Sequence, residues 1–302
     1  MNKLTIFTPS YNRVHLLSRL YESLKNQTSQ DFIWLIIDDG SSDGTGELVE
    51  EWQKYDQIPI QYHYQANRGM VFAHNTAHLL MDTELCVCID SDDVVPADAV
   101  EKIISFWDLH GSSESAGIVG LDQYTNGELI GTPLPDVREC TFSELYTKYK
   151  ITGDKKFVHN RKVFNQYLPY PFFENEKFPV TSYLYLLIEQ KHQLLICNEV
   201  FCTVEYREDG LSNNIINQYK ESPKSFAFYR LAKMKYALNY KERFKNAVHY
   251  VSSSLMAKNK NFMAESEFKV TTALATVPGI ILYLYLKNTK KTALNKNLNR
   301  SQ

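Results

Sequence analysis

Over the first 120 residues, short β-branched or aromatic runs alternate with amphipathic stretches, and no other feature of the chain limits its fold as strongly. Leu4–Phe7, Phe32–Ile37, Ile60–Tyr64, Leu85–Ile89 and Gly117–Leu121 read as strands, while Val14–Leu24, Thr45–Trp52, Met70–Met81 and Ala97–Trp107 read as helices. In the first helix Leu16, Leu17, Leu20, Tyr21 and Leu24 share one face, as a helix lying on a sheet requires. The alternation predicts an α/β fold with a doubly wound, mostly parallel sheet.

In such sheets ligands collect where the carboxyl ends of the strands open into loops, and the unusual polar residues of this sequence stand at those ends. Thr8-Pro9-Ser10-Tyr11-Asn12-Arg13 follows the first strand, Asp38-Asp39-Gly40-Ser41-Ser42-Asp43-Gly44 the second, and Asp90-Ser91-Asp92-Asp93 the fourth. Two ionised carboxylates at i and i+2 repel each other unless a cation or hydrogen-bond donors compensate them. Oxygen ligands of this kind suit Mg²⁺ or Mn²⁺, which take one or two carboxylates and complete their shell with water and phosphate oxygens. A strand-ending turn, with one Asp capping the helix that begins near Pro96, accounts for the same residues.

The other two clusters carry similar alternatives. Asp38 and Asp39 directly follow six apolar residues, where a carboxylate accepts from a nucleobase or ribose and Tyr11 offers a stacking face. Ser42, Asp43 or Thr45 also serves simply to cap the next helix. Asn67-Arg68-Gly69 precedes the third helix, where backbone N–H groups and a guanidinium meet phosphate, or where a turn merely starts a helix. The chain has no P-loop and no G-x-G-x-x-G, so phosphates would be held by metal and side chains.

Composition removes several classes. A formal net charge of −2 argues against a nucleic-acid binder that works by bulk charge. Five scattered cysteines (Cys86, Cys88, Cys140, Cys197, Cys202) form no disulfide framework and no C-x-x-C pair, and the first residues lack a signal-peptide pattern, so a reducing, cytoplasmic setting is expected. His159 and His192 have no metal-ligand spacing and read as packing or surface residues.

The chain divides by pattern into residues 1–121, an irregular Tyr-, Phe- and Pro-rich stretch over 122–215, and a helical region over 216–302. Inside the last, residues 270–286 carry no charge and a basic tail follows: Lys287, Lys290, Lys291, Lys296 and Arg300. At this length, and interrupted by Pro278-Gly279, the segment reads better as an interfacial anchor on an anionic leaflet than as a membrane span, and a helix buried against the rest of the chain is the alternative.

Taken in order, "TPSYNR", "DDGSSDGT", "NRGMVFAHN" and "CIDSDD" resemble the nucleotide-sugar-binding half of the family-two glycosyltransferases, inverting enzymes with an A-type fold. The resemblance covers roughly residues 3–121, and its specificity lies in the four motifs together. It implies that Thr8, Pro9, Tyr11 and Arg13 line a nucleotide pocket, that Asp39 recognises the base, and that Asn67 and Arg68 lie near the diphosphate. Asp90-Ser91-Asp92 matches the family's D-x-D motif, which implies Asp92 as the direct Mn²⁺ or Mg²⁺ ligand, with Asp90 supporting it and Asp90 and Ser91 touching the donor. Asp93 has no assigned role.

"TGDKKFV", "YPFFENEKF" and "EYREDGLS" extend the likeness to bacterial family-two enzymes that build capsular or lipopolysaccharide glycans. By that likeness residues 122–215 bind the acceptor, and Glu176 is the general base that takes the acceptor hydroxyl's proton. Family members often carry Glu-Asp at this point and a further Glu shortly after; here Lys177 follows Glu176 and Pro179-Val180-Thr181 holds no acid, which leaves Glu174 as a rival base. Asp154 and Asp209 line the acceptor side or sit in ordinary turns. The Gln-x-x-Arg-Trp signature of processive synthases is absent. The expectation is transfer of one sugar from a nucleotide diphosphate-sugar, UDP-linked, to a glycan or lipid-linked glycan. A metal-dependent nucleotidyltransferase and a non-catalytic nucleotide-sugar or glycan-binding protein are the alternatives.

Overall fold

The computed structural model describes residues 2–176, 181–205 and 215–289. Each strand and helix expected in the first 121 residues is present, with ends displaced by a few residues. Strands β1 (Leu4–Ser10), β2 (Phe32–Asp38), β3 (Ile60–Tyr64), β4 (Leu85–Cys88) and β5 (Gly117–Tyr124) alternate with helices α1 (Val14–Lys25), α2 (Thr45–Tyr55), α3 (Met70–Leu80) and α4 (Ala99–His110).

The sheet continues where the sequence reads as irregular. Strand β6 (Glu139–Cys140), helix α5 (Phe142–Thr147), β7 (Lys155–Asn160), α6 (Arg161–Phe164), α7 (Ser182–Ile188) and β8 (Leu194–Val204) follow. Among the described residues the sheet has the order β3-β2-β1-β4-β7-β5-β8-β6. The first four strands in that order run parallel; β7 runs against both β4 and β5, and β6 runs against β8. Strand β7 escapes sequence reading because its LysLys start breaks the apolar pattern and because it enters between β4 and β5 without a crossover helix of the usual length.

Strict alternation divides the core. Leu4, Ile6, Trp34, Ile36, Leu85 and Val87 point to the face covered by α1, α2 and α4, where Tyr21, Trp34 and Trp52 stack and Tyr21 and Trp52 lie 4.3 Å apart. Phe7, Leu35, Ile37 and Cys86 point to the other face, against Ala73, Ala77 and Met81 of the α3 segment. Burying each large side chain contributes roughly 1.5–3 kcal/mol, so a one-residue register slip would cost much of the core.

The chain forms two compact units, residues 1–169 with 187–206 and residues 170–186 with 207–302. The second contains α8 (Ile215–Glu221), α9 (Pro223–Lys235), α10 (Tyr240–Met256), α11 (Phe262–Glu265) and α12 (Lys269–Asn288). The helical pattern read across Phe226–Tyr240 is interrupted: α9 ends at Lys235, and Asn239 caps α10 by accepting from the Glu242 N–H at 2.9 Å. Ala227, Met234, Ala247, Tyr250, Val251 and Ala275 form this unit's core.

The α3 face of the sheet also holds three buried histidines. His74 and His78, one turn apart on α3, meet the edge of Phe7, and His159 stacks on Phe164 at 3.7 Å. Burial pushes His74 down to about 4 and His78 to about 3, and His159 well below the ordinary range. Because these folded-state values lie below the unfolded value near 6.5, their contribution to stability is complete above that pH and is lost as pH falls below it. Urea unfolding is therefore expected to show a midpoint that drops between pH 7 and pH 5. His78→Phe should shallow the drop by on the order of 1–2 kcal/mol at pH 5, and an unchanged pH dependence in that variant would count against the assignment.

Candidate functional site

The order of the first four strands reverses at β1. From it the chain steps outward to β2 and β3, then returns to the opposite side as β4, so the loops after β1 and β4 diverge from neighbouring strand ends. This is the switch point at which open α/β sheets bind ligands.

The loops after β1 and β2 are fastened to each other. The Asp39 N–H donates to the Ser10 carbonyl at 2.8 Å and the Asn12 N–H to Ser41 Oγ at 2.8 Å, while Asn12 Oδ1 accepts from the Ser42 N–H at 2.9 Å. Asp43 serves two helix starts, accepting from the Val14 N–H and from the Thr45 hydroxyl. Gly40 has φ +87°, and a Cβ there would lie 2.8 Å from the Asn67 nitrogen, so a glycine lets the β2 loop meet the segment before α3.

Asp39 ties that segment down. Its carboxylate accepts from the Arg68 N–H at 3.0 Å, the Gly69 N–H at 2.7 Å and Gln65 Nε2 at 2.7 Å. Asp38 accepts from the Ser41 N–H and from the Tyr62 hydroxyl, both at 2.7 Å. Asn67 and Arg68 are exposed, and the Arg68 guanidinium lies 3.7 Å from the Phe72 ring centre. Tyr11 is half exposed, presenting its ring to solvent, and Pro9 is partly buried. Thr8 departs from the expectation of a pocket-lining side chain: it is fully buried, and its hydroxyl accepts from Trp34 Nε1 at 3.0 Å inside the core.

After β4 the chain turns sharply, with the Asp93 N–H donating to the Asp90 carbonyl at 3.1 Å. Asp90 is exposed, Ser91 buried and Asp92 partly exposed. Arg13 Nη1 reaches Asp92 Oδ2 at 3.6 Å, joining the loops after β1 and β4 across the switch point. Among the described residues, no cap hydrogen bond to α4 comes from these acids. The helix instead begins at Ala99, and Gln27 Oε1 accepts from the Val100 N–H.

Asp93 turns inward. Its carboxylate is 3.7 Å from Lys156 Nζ on β7 and accepts from the Cys202 thiol of β8 at 3.5 Å. Burial, partly offset by Lys156, pushes Asp93 up to about 7. Asp122 on β5 is pushed up to about 6 by burial against the opposing pull of Lys156, and its Oδ1 has no hydrogen-bond partner among the described residues. Burial alone would lower Lys156; Asp122, Cys202, Asp93 and Asp90 together hold it well above the ordinary range. A buried cation thus sits beneath the acid turn. Sequence reading missed it, although a lysine inside the "KKFVHN" strand and an aspartate inside "GLDQY" are the signals such a cluster leaves.

Among the described residues no group of three or more His, Cys, Asp or Glu is spaced to hold a metal. Asp90 and Asp92 would offer a divalent ion two carboxylates at most, and the rest of its shell would have to come from water and phosphate oxygens.

Glu176 and Glu174 belong to the second unit. The Glu176 carboxylate accepts from the Lys224 N–H at 2.8 Å and from the Ser225 N–H and hydroxyl at 2.7 Å, capping α9. Glu174 is exposed. Lys177, Pro179, Val180, Asp209 and the tail from Lys290 onward lie outside the described residues.

Comparison with known proteins gives a consistent picture. The model of the family described as "Glycosyl transferase family 2" matches residues 5–165, just over half of the chain. Glycosyltransferase GlyA of Streptococcus pneumoniae is 32% identical over 102 residues, which is 34% of this chain and 14% of GlyA, so the chain spans a small part of that relative. A UDP-Glc:alpha-D-GlcNAc-diphosphoundecaprenol beta-1,3-glucosyltransferase of Escherichia coli, WfgD, is 28% identical over 78% of this chain and 91% of its own length. Among solved structures, Staphylococcus aureus TarS 1-349 in complex with UDP-GlcNAc superposes with a TM-score of 0.63 at 16% identity, covering 92% of this chain and 80% of TarS. At that identity the likeness shows a shared fold.

The buried charges of the first unit give a prediction. Lys156→Met removes the ion-pair partner of Asp93 and the strongest counter-charge of Asp122 and is expected to destabilise the protein by about 3–5 kcal/mol, measured by urea unfolding. Adding Asp93→Asn should recover a substantial part of the loss. Additive effects of the two changes would contradict the pairing.

Proposed function

Because this chain belongs to glycosyl transferase family 2, we propose that it is an inverting, metal-dependent enzyme that moves one sugar from a nucleotide diphosphate-sugar to a glycan or lipid-linked glycan in bacterial surface-polysaccharide synthesis. The observation that carries the reading is the meeting of Arg13 and Asp92 across the β1/β4 switch point, beside the fastened loops of Asp39 and Arg68. A UDP-linked donor is favoured by the name of the WfgD relative, which also names a diphosphoundecaprenol acceptor.

On this reading Tyr11 stacks on the base and Asp39 recognises it through the lone pairs its three donors leave. Asn67, Arg68 and Arg13 take the diphosphate, Arg13 exchanging Asp92 for phosphate when the donor binds, and Pro9, Asp90 and Ser91 line the donor. Asp92, with Asp90 in support, would hold Mg²⁺ or Mn²⁺, which would supply Lewis acidity for the leaving diphosphate. Displacement at the anomeric carbon also needs a base for the acceptor hydroxyl. Glu176 is the proposed base. The donors that fix its direction in α9 also draw on its lone pairs, which makes Glu174 the rival. The free cysteines suit a cytoplasmic setting.

Calorimetry and turnover test this together. UDP should bind at least about tenfold more tightly with Mn²⁺ than without, and Asp92→Asn should abolish that difference. Glu176→Gln should bind UDP as the wild type does while turnover falls about 10²-fold or more. UDP binding indifferent to both Mn²⁺ and Asp92→Asn would sink the metal site. Unchanged turnover in Glu176→Gln would pass the base role to Glu174, and donor binding without turnover in the wild type would identify a non-catalytic binder.

A further inference from the structure

Helix α12 is apolar on two opposite faces, and the second unit uses one of them. Thr272, Ala275 and Gly279 are buried. A Cβ on Gly279 would lie 2.6 Å from Val251, so α12 packs on α10 with no room for a side chain at that position. On the opposite side Val270, Leu274, Val277, Ile281, Leu284 and Tyr285 are 49–76% exposed. At about 100° per residue these six fall in one stripe about 100° wide running the length of the helix. A helix on a protein surface turns a polar face to water, and exposed apolar side chains scattered singly are ordinary, but a continuous row marks a site of association.

Charge says what covers the row. From Phe268 to Gln302 the sequence has no acid and six cations (Lys269, Lys287, Lys290, Lys291, Lys296 and Arg300), although the whole chain carries a net charge of −2. Lys269 and Lys287, at opposite ends of α12, fall on the same flank of the stripe by helical geometry. An apolar stripe with cations along its edge complements a layer that is anionic at its surface and apolar just beneath. By length and composition α12 could cross a membrane. Its other face, however, is committed to α10, and it carries buried Thr271 and Thr272, the latter bonded to Ser266 at 2.7 Å. A helix with one face in a protein core lies along a membrane surface rather than through it.

We propose that α12 is a membrane-interface element, which lies in the plane of an anionic leaflet with the Val270–Tyr285 stripe in the headgroup–acyl boundary and Lys269 and Lys287 against lipid phosphates. The assignment rests on the second unit alone and stands or falls independently of sugar transfer.

Flotation of the full chain with vesicles tests it. The protein should float with phosphatidylglycerol-containing vesicles and at least about tenfold less with phosphatidylcholine alone. Leu274→Glu with Ile281→Glu should lower partitioning at least about tenfold while UDP affinity is kept. Ile281→Trp tests the site without adding charge: Trp34, Trp52 and Trp107 are all buried, so a blue shift on vesicles and quenching by brominated acyl chains would report position 281. If the double Glu variant fails to fold, the tryptophan variant decides. Wild type that does not bind anionic vesicles, partitioning unchanged by the two Glu residues, or a tryptophan that stays in water would each overturn the proposal. A dimer seen by light scattering and lost in the Glu variant, with no vesicle binding, would assign the stripe to a second copy of this chain.

Discussion

Parallel pairing of β1 with both β2 and β4 is the constraint on which the rest of the first unit depends. It places three carboxyl ends side by side, Ser10 opposite Asp38 and Phe7 opposite Cys88. It also reverses the strand order between β1 and β4, so the loops that follow part from one another. Apart from Thr8 and Pro9 at the end of β1, the candidate donor contacts of the first unit lie in those loops or in the segment that Asp39 ties to them. The side-chain alternation that fixes the register, with Leu4, Ile6, Trp34 and Ile36 on one face and Phe7, Leu35 and Ile37 on the other, is therefore also what aims the polar residues.

The electrostatics of the acid turn divide by depth. Near the surface Asp92 pairs with Arg13, and partly exposed pairs of this kind contribute little to stability, so Arg13 can exchange partners at small cost. Beneath them Asp93 and Asp122 both draw on the mostly buried Lys156, and losing one partner of such a set is costly. Thus Asp93, which had no role in a sequence reading, belongs with the foundation of the turn.

Legibility followed local pattern. Strands and helices up to Leu121 were readable because each is a short periodic run ended by turn residues. Strand β7 was not, since LysLys opens it: Lys156 answers to Asp93 in the turn after β4 and to Asp122 on β5, while Lys155 Nζ donates to the carbonyls of Ile130, Thr152 and Asp154. The acid turn and the loops after β1 and β2 were readable as a set, yet Thr8 looked like a pocket residue and spends its hydroxyl on Trp34. Glu176 shows the same limit: its cap on α9 joins positions 48 and 49 residues apart. The uncharged run at 270–286 left span, anchor and buried helix open, and only the packing of Gly279 on Val251 separated its two apolar faces.

The central claim is that the β1/β4 switch point holds a nucleotide diphosphate through a divalent ion at Asp92. A crystal of the full chain grown with UDP and Mn²⁺, measured at the manganese edge, tests it most directly. The account predicts one anomalous peak within direct-coordination distance of an Asp92 carboxylate oxygen and beside the diphosphate, with Arg13 turned from Asp92 toward phosphate. A peak with no contact to Asp92, or UDP bound away from the loops after β1, β2 and β4, would contradict it.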